Sequence, residues 1–264
     1  MPGNRTNSPH RTRWLLVLLS APLLGLLVVP PVVLIARTSP GMLAKYLGSE
    51  AVAQAIVLSL WTSAASLVMV IILGTPLAYL LGRGRFRGRG LLEVLIDWPI
   101  VLPPAAAGIA LLMTLGRRGV VGQWLEKAGV AIPFTPVAVI LAQTFVAAPY
   151  FIKAASVGLS NISQDILDSA ALDGASAWQR FLEISLPLAM RSLIVGAALT
   201  WSRALGEFGA TIIFAGNLQG KTQTMPLAVY MGFEIDIGQA VALAAVLLGI
   251  SFCLLVGIRL AWKQ

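Results

Sequence analysis

The sequence predicts an all-α integral membrane protein with six spanning helices, and the prediction rests on composition, charge distribution and the length of apolar runs. Of the 264 residues, 58% are hydrophobic and 11% are charged, whereas a soluble domain has about 45–50% apolar and about 25% charged residues. The charges fall in short patches and leave long windows without Asp, Glu, Lys or Arg. Such windows are typical of bilayer-crossing helices, which need about 20 apolar residues.

Six apolar windows are long enough, or nearly long enough, to cross the hydrocarbon core. The third is 18 residues long and contains Pro103 and Pro104, so we expect a kinked or broken span there. The fifth contains Arg203 and Glu207 in its interior. The predicted spans are 14–36, 55–81, 98–115, 130–152, 188–216 and 237–258.

Lysine and arginine residues orient these spans. If the N-terminus is cytoplasmic, the inner segments carry twelve of these residues and the outer loops carry six, which is the bias expected of cytoplasmic loops. The densest cluster, GRGRFRGRG at residues 82–90, then falls on the inner side, as a topology anchor or as a lipid or partner site. We therefore expect both termini in the cytoplasm, with residues 1–13 as a tail and residues 14–264 as a single membrane domain.

The chain is poor in residues that support catalysis or metal binding. The single histidine, His10, lies in the polar tail, and the single cysteine, Cys253, lies in an apolar run. This argues against a histidine-rich metal site, a Ser/His/Asp triad and an intrachain disulfide. The net charge of +8 comes from basic residues that flank apolar runs, so membrane orientation explains it better than nucleic acid binding. We expect no catalytic residue, no metal site and no nucleic acid partner.

One stretch, AGNLQGKT at residues 215–222, nearly matches the phosphate-binding pattern G-x-x-x-x-G-K-[ST], with Ala215 in place of the first glycine. That pattern needs a preceding strand within a βαβ unit. Residues 211–214 have a strand-like composition, but no βαβ pattern surrounds them. The predicted topology also places the stretch on the outer side, away from ATP. Any ATP must therefore be bound by another polypeptide.

The longest predicted inner loop, residues 153–187, differs from the other loops because it contains two amphipathic patterns. Ser163 can cap a first helix, whose apolar residues face away from Asp168. Gly174 ends this helix, and a second amphipathic helix begins near Ser176. Two short amphipathic helices joined at a glycine are typical of an element that docks into a partner groove, although an ordinary interfacial hairpin has the same pattern.

The same loop resembles a signature of permease subunits of ATP-binding-cassette importers: E-A-A, three residues, G, nine residues, then I-x-L-P. This sequence has Asp for Glu and Ser for the first Ala. In that family the loop inserts into a cleft of the cytoplasmic ATPase and transmits its closure. The resemblance implies a type I importer permease fold and assigns ATPase coupling to Asp168, Ser169, Ala170, Ala171, Asp173, Gly174, Ile184, Leu186 and Pro187.

A narrower resemblance comes from residues 201–230, VLPP at 101–104 and LGRRG at 115–119. These segments are similar to the molybdate and tungstate permeases, with the sulfate permeases as their nearest relatives. The resemblance implies a homodimer in the cytoplasmic membrane of a prokaryote, served by an extracytoplasmic oxyanion-binding protein. It also implies two cytoplasmic ATPase subunits that bind ATP and Mg, while this chain binds no cofactor.

Two alternatives remain open from the sequence. A sulfate or thiosulfate permease of the same family would share most of these motifs. An ion-coupled secondary transporter is less favoured, because such proteins often contain internal repeats and no clear repeat is found here.

Polar residues in or near the spans are candidates for the transport pathway. Arg203 and Glu207 are four residues apart, so they share a helix face and can pair inside the membrane, either bracing the pathway or forming a structural bridge. Arg117 and Arg118 lie in an outer loop, where they attract an anion, bind an acidic patch of a delivery protein or remain solvated. The proline pair of the third span is a candidate pivot or a static bend.

Overall fold

The computed structural model describes residues 9–261, and this part of the chain is helical, with no strand. Twelve helices follow one another in this range. They are α1 (Pro9–Arg37), α2 (Pro40–Leu47), α3 (Glu50–Arg83), α4 (Arg89–Val101), α5 (Pro104–Leu115), α6 (Gly122–Lys127), α7 (Pro136–Ser160), α8 (Gln164–Leu172), α9 (Ala177–Leu205), α10 (Gly209–Phe214), α11 (Met225–Ile235) and α12 (Ile237–Ala261).

Five helices in the described range are long and apolar enough to cross a membrane, namely α1, α3, α7, α9 and α12, and the bent pair α4–α5 is a sixth candidate. The predicted all-α membrane fold is therefore confirmed. Residues 1–8 of the predicted tail, and Lys263, lie outside the described residues. Residues 9–13 already belong to α1, so this helix starts before the predicted Trp14.

The third predicted span is broken into two helices, and the fourth begins later than predicted. α4 and α5 meet at an angle of 113°, next to Pro103, where the proline pair predicts a kink or a break. α7 begins at Pro136, later than the predicted window 130–152, because Thr135 caps its first turn through the Ala138 N–H.

The predicted inner loop, residues 153–187, is shortened because the helices on both sides extend into it. α7 continues past Lys153, whose charge is satisfied within the fold since its Nζ lies 2.8 Å from Asp97 Oδ2 of α4. α9 begins at Ala177 and runs on into the fifth span. Residues 161–176, which include α8, are left as the linker between α7 and α9.

The fifth predicted window, residues 188–216, is not one helix. α9 ends at Leu205, and the chain passes through residues 206–208 without helical structure before α10 begins. The strand-like residues 211–214 lie in α10, so the strand-like interpretation is wrong. Packing of this segment into an apolar cluster with α5 and α7 overrides its β propensity.

α3, α7 and α9 form the centre of the bundle. Their shared cluster includes Val70 of α3, Phe151 and Leu159 of α7, and Ala189 of α9. A Cβ atom on Gly196 would lie 3.1 Å from Ala154 Cβ, so α7 and α9 approach closely along small residues, as is common for helices in membranes.

The peripheral helices leave apolar surface uncovered. The apolar window of α1 has no buried residue in the bundle. α2 is held at the turn between α11 and α12, because the Tyr46 hydroxyl donates to the Asp236 carboxylate at 2.8 and 2.9 Å. A shallow apolar cavity of about 600 Å³ lies between α1, α11 and α12.

Candidate translocation and coupling sites

Two breaks in the membrane helices lie against each other. One separates α4 from α5 beside Pro103, and the other separates α9 from α10 at residues 206–208. A Cβ atom on Gly209 would lie 2.6 Å from Pro104 Cβ, so α10 starts directly against α5 and only glycine fits there. The structure therefore brings the predicted proline pair to the segment that contains the predicted glutamate, although the two are far apart in the chain.

Glu207 lies in the second break, just beyond the end of α9. Its Oε2 lies 2.6 Å from Arg203 Nη1, and its Oε1 accepts a hydrogen bond from the Ala210 backbone N–H at 2.8 Å. The predicted pair is thus present, but it joins the end of α9 to the start of α10 and not two positions of one helix. The Glu207 side chain is 1% exposed and the Arg203 side chain is 26% exposed. The carboxylate is therefore fully engaged, while the guanidinium keeps an open side.

Arg117 and Arg118 follow α5, at the end opposite to Pro104. α5 has 12 residues, which places these arginines about 18 Å from the break along the helix axis. Both line an open cavity of about 350 Å³, and Arg117 Nε lies 3.9 Å from Glu126 Oε1, with both side chains exposed. The structure does not bring this pair to Arg203.

A buried polar residue of α7, Gln143, was missed by the sequence reasoning. It is 1% exposed, and within the described residues neither its amide nitrogen nor its amide oxygen has a hydrogen-bond partner. Thr211 of α10 has a buried hydroxyl that also has no hydrogen-bond partner within the described residues. Each unpaired group costs about 1–3 kcal/mol of stability. The available signal was a lone glutamine inside an uncharged apolar window.

The linker between α7 and α9 has the predicted order of helix, glycine turn and second helix start. Ser163 Oγ accepts a hydrogen bond from the Asp165 N–H at 3.3 Å and caps α8. Gly174 has a φ of +88°, a left-handed conformation that glycine adopts without steric cost. Ser176 and Gln179 then form a reciprocal capping box that starts α9.

The linker and the first turn of α9 expose apolar side chains that the rest of the described chain does not cover. Leu172 is 90% exposed, Trp178 is 66% exposed and Ile166 is 45% exposed, whereas Leu167 is buried. Around Gly174, an added Cβ would meet no atom within 4 Å. The described part of the chain therefore leaves the space beside this glycine open. Exposed apolar residues on an otherwise polar segment indicate a contact surface. Leu172 is not among the coupling residues that the sequence resemblance implies.

The second half of the importer signature lies inside α9. Residues Arg180–Ser185 form a π-helical segment of this helix, and the Phe181 ring packs edge-to-face on Tyr79 of α3 at a centroid distance of 4.8 Å. The signature residues in or beside this segment are Ile184, Leu186 and Pro187. The linker is therefore joined to the membrane bundle without an intervening loop.

Comparison with known proteins decides the family. A sequence model described as "Binding-protein-dependent transport system inner membrane component" matches residues 74–262. The chain belongs to this family. The matched range contains both helix breaks and the linker, so the family assignment covers every candidate site described above. The predicted resemblance to importer permeases is confirmed.

Three proteins to which this chain is similar are named transport permeases. The probable transport system permease protein NifC of Clostridium pasteurianum is 37% identical over 79% of this chain and 73% of its own length. The molybdenum transport system permease protein ModB of Mycobacterium tuberculosis is 41% identical, with 77% of each chain covered. The sulfate transport system permease protein CysT of Escherichia coli is 35% identical over 71% of this chain and 68% of its own.

Solved structures agree with this fold. The crystal structure of a bacterial ABC transporter involved in the import of the acidic polysaccharide alginate superimposes on this family member with a TM-score of 0.74. The match covers 96% of this chain and 95% of the other, at 19% identity. At that identity the likeness concerns the fold alone.

Proposed function

We propose that this family member is the membrane permease subunit of an ATP-driven importer for molybdate or tungstate. The observation that carries the proposal is the 41% identity to a molybdenum permease across 77% of both chains. A sulfate permease is 35% identical over a slightly shorter range, so sulfate or thiosulfate is the alternative substrate. Tetrahedral dianions present the same acceptor oxygens, and one site chemistry serves them all.

The proposed pathway passes the two apposed helix breaks. Irregular backbone at membrane depth is tolerated where it is buried in protein or lines a cavity, and broken helices form the substrate sites of many transporters. At this point Arg203 supplies a positive charge with an open side, and Glu207 holds it in place. Arg117 and Arg118, at the far end of α5, attract the dianion or contact the delivery protein at the outer surface.

The linker residues 161–176 and the first turn of α9 are the proposed contact with the ATPase. Exposed Leu172 and Trp178 offer apolar surface to a groove of that partner. Gly174 leaves open space beside them. Because α9 starts at the end of this linker, movement of the ATPase is carried directly into the helix whose last turn contains Arg203. The chain itself has no catalytic role in this proposal, and the ATPase binds ATP and Mg.

The proposed assembly contains two copies of this chain, two ATPase subunits and an extracytoplasmic oxyanion-binding protein. The uncovered faces of α1, α11 and α12 support contacts with lipid or with the second copy. The proposed location is the cytoplasmic membrane of a prokaryote, with both termini inside. The proposed single membrane domain is residues 14–264, as predicted, and residues 9–13 of the predicted tail extend its first helix.

Reconstitution tests the substrate. The permease, its ATPase and its binding protein are placed in proteoliposomes, and uptake of radiolabelled molybdate is measured with tungstate or sulfate as competitor. We expect ATP-dependent molybdate uptake that tungstate inhibits more strongly than sulfate. Preferential inhibition by sulfate would favour the sulfate permease, and uptake driven by an ion gradient without ATP would favour a secondary transporter.

A further inference from the structure

Gln143 and its neighbour Thr144, in the middle of α7, differ in the hydrogen bonding of their side chains. The Thr144 hydroxyl has a hydrogen-bond partner, because it lies 3.0 Å from Ser66 Oγ of α3. Gln143 is buried more fully than Thr144, yet neither polar atom of its amide has a partner among the described residues. A methionine of similar shape would fill this space without the desolvation cost. The glutamine is therefore unfavourable for the stability of this conformation.

The seam between α7 and α9 fixes the level of Gln143 in the bundle. The helices run antiparallel, and two successive contacts set their register. A Cβ atom on Gly196 would lie 3.2 Å from the Phe151 carbonyl oxygen, and Thr200 Oγ1 donates to the Ala147 carbonyl oxygen at 3.3 Å. Each step of one turn toward the N-terminus of α7 matches one turn toward the C-terminus of α9. One further turn on each helix puts Gln143 at the level of Ala204, which follows Arg203 in the chain and precedes Glu207 by about one turn.

α10 closes the other side of Gln143. Val139, Ala142 and Val146 of α7 belong to the apolar cluster that also contains Ala210 and Phe214 of α10. Thr211 follows Ala210 in the chain, and its buried hydroxyl has no hydrogen-bond partner among the described residues. Three helices around the second break thus each carry a polar group: the guanidinium of α9, the amide of α7 and the hydroxyl of α10.

We propose that Gln143 is a second oxyanion contact of the transport pathway, donating its amide N–H to an oxygen of the ion held by Arg203. This inference rests on the proposed function. A tetrahedral oxyanion that is fully deprotonated offers acceptors only, so each contact must be a donor. The guanidinium supplies charge, whereas the amide of Gln143 and the hydroxyl of Thr211 supply neutral donors.

The contact forms when the seam between α7 and α9 opens at the level of Ala204. In the present conformation the amide is enclosed, and the side chains around it are small, including Ala142, Ala147 and Ala210. Because these side chains are small, few side-chain contacts are lost when the seam opens. The unpaired amide also gains a partner in the open state, so Gln143 favours opening when the oxyanion arrives.

Substitution of Gln143 separates this role from a structural one. Proteoliposomes contain the permease with its ATPase, and binding protein saturated with radiolabelled molybdate supplies the probe. We expect Gln143→Met to lower the maximal uptake rate about tenfold, while the melting temperature of the purified complex stays equal or rises. Gln143→Asn keeps an amide and is expected to retain more uptake than Gln143→Met. Gln143→Leu serves as a second apolar variant if the Gln143→Met protein fails to fold.

Thr144→Val is the matched control on the same helix turn. It removes the bond to Ser66, so we expect a lower melting temperature with uptake close to wild type. Wild-type uptake by Gln143→Met, or losses of uptake and melting temperature that run in parallel, would overturn the inference about Gln143. Absence of molybdate and sulfate uptake by the wild-type complex would instead count against the proposed function.

Discussion

Arg203 Nη1 lies 2.6 Å from Glu207 Oε2, and this ion pair joins the end of α9 to the start of α10. Removing one partner of a buried pair costs roughly 3–5 kcal/mol, because the other charge is left uncompensated. We expect Glu207→Gln to lower the melting temperature and the expression of folded protein strongly. The double variant Glu207→Gln with Arg203→Gln is expected to be damaged less. Equal damage in thermal unfolding of the two purified variants would argue against the pairing.

Gly174 has a φ of +88° within the proposed ATPase contact. We expect Gly174→Asp to insert into the membrane normally and to uncouple transport from ATP hydrolysis, because the new side chain and its charge occupy the space that faces the partner. The measurement compares molybdate uptake with ATP hydrolysis in the same proteoliposomes. Transport at the wild-type rate would refute the docking assignment.

Gly129 provides the control for that variant. It has a φ of +79°, and an added Cβ would also meet no atom within 4 Å. In Gly129→Asp a non-glycine residue must adopt a similar positive φ, so the cost in backbone strain is similar. In the predicted topology Gly129 lies on the opposite side of the membrane from Gly174. We expect its uptake and its ATP hydrolysis to stay coupled.

Gly108 lets α5 pack on α10. A Cβ at this position would lie 2.8 Å from Ile213 Cβ and 2.9 Å from the Ala210 carbonyl oxygen, so Gly108→Val forces the two helices apart. Overpacking of this kind costs about 1–3 kcal/mol, and we expect a lower melting temperature together with reduced uptake. Gly249→Val is the control, because an added Cβ on Gly249 meets nothing within 4 Å. A melting temperature of Gly108→Val no lower than that of the control would argue against close packing of the two breaks.

Tyr46 and Asp236 hold α2 to the turn between α11 and α12. The hydrogen bond from the Tyr46 hydroxyl is the main cause that lowers the pKa of Asp236 below its usual value of 3.8. A carboxyl group with a lowered pKa contributes stability above its unfolded-state pKa, and that contribution is lost as the pH falls through the folded-state pKa. We expect Tyr46→Phe to lower the melting temperature at pH 7. The difference from wild type is expected to persist to about pH 5 and to shrink below about pH 4. A difference that grows as the pH falls would contradict this assignment.

Side-specific labelling tests the proposed orientation. Cys253 is exposed, so it is first replaced by alanine. In that background we expect Trp178→Cys to react with a membrane-impermeant maleimide from the cytoplasmic side, and Trp124→Cys to react from the outside. Both tryptophans are 66% exposed, which makes their reagent access comparable. Labelling of Trp178→Cys from outside would show that the orientation is opposite to the proposed one.

Features that depend on residues close together in the chain were predictable from the sequence. The apolar windows indicate the spans, the cap at Ser163 and the glycine at Gly174 indicate the linker helices, and the proline pair indicates the break before α5. The near-match to a phosphate-binding loop was correctly set aside, since residues 211–214 before it are helical. Each of these features is encoded within a few turns of helix, where capping, backbone freedom and hydropathy act locally.

Tertiary structure decided the rest, because packing relates residues that are distant in the chain. The predicted inner loop begins at Lys153, but α7 continues to Ser160 and Lys153 pairs with Asp97 of α4. The window 188–216 predicts one helix, but close packing of Gly209 on Pro104 favours a break. Gln143 reads as one polar residue in an apolar run, and its burial at the level of Ala204 follows from the register of α7 against α9. Hydropathy therefore determined which segments enter the membrane, whereas close packing between those segments determined where their polar groups meet.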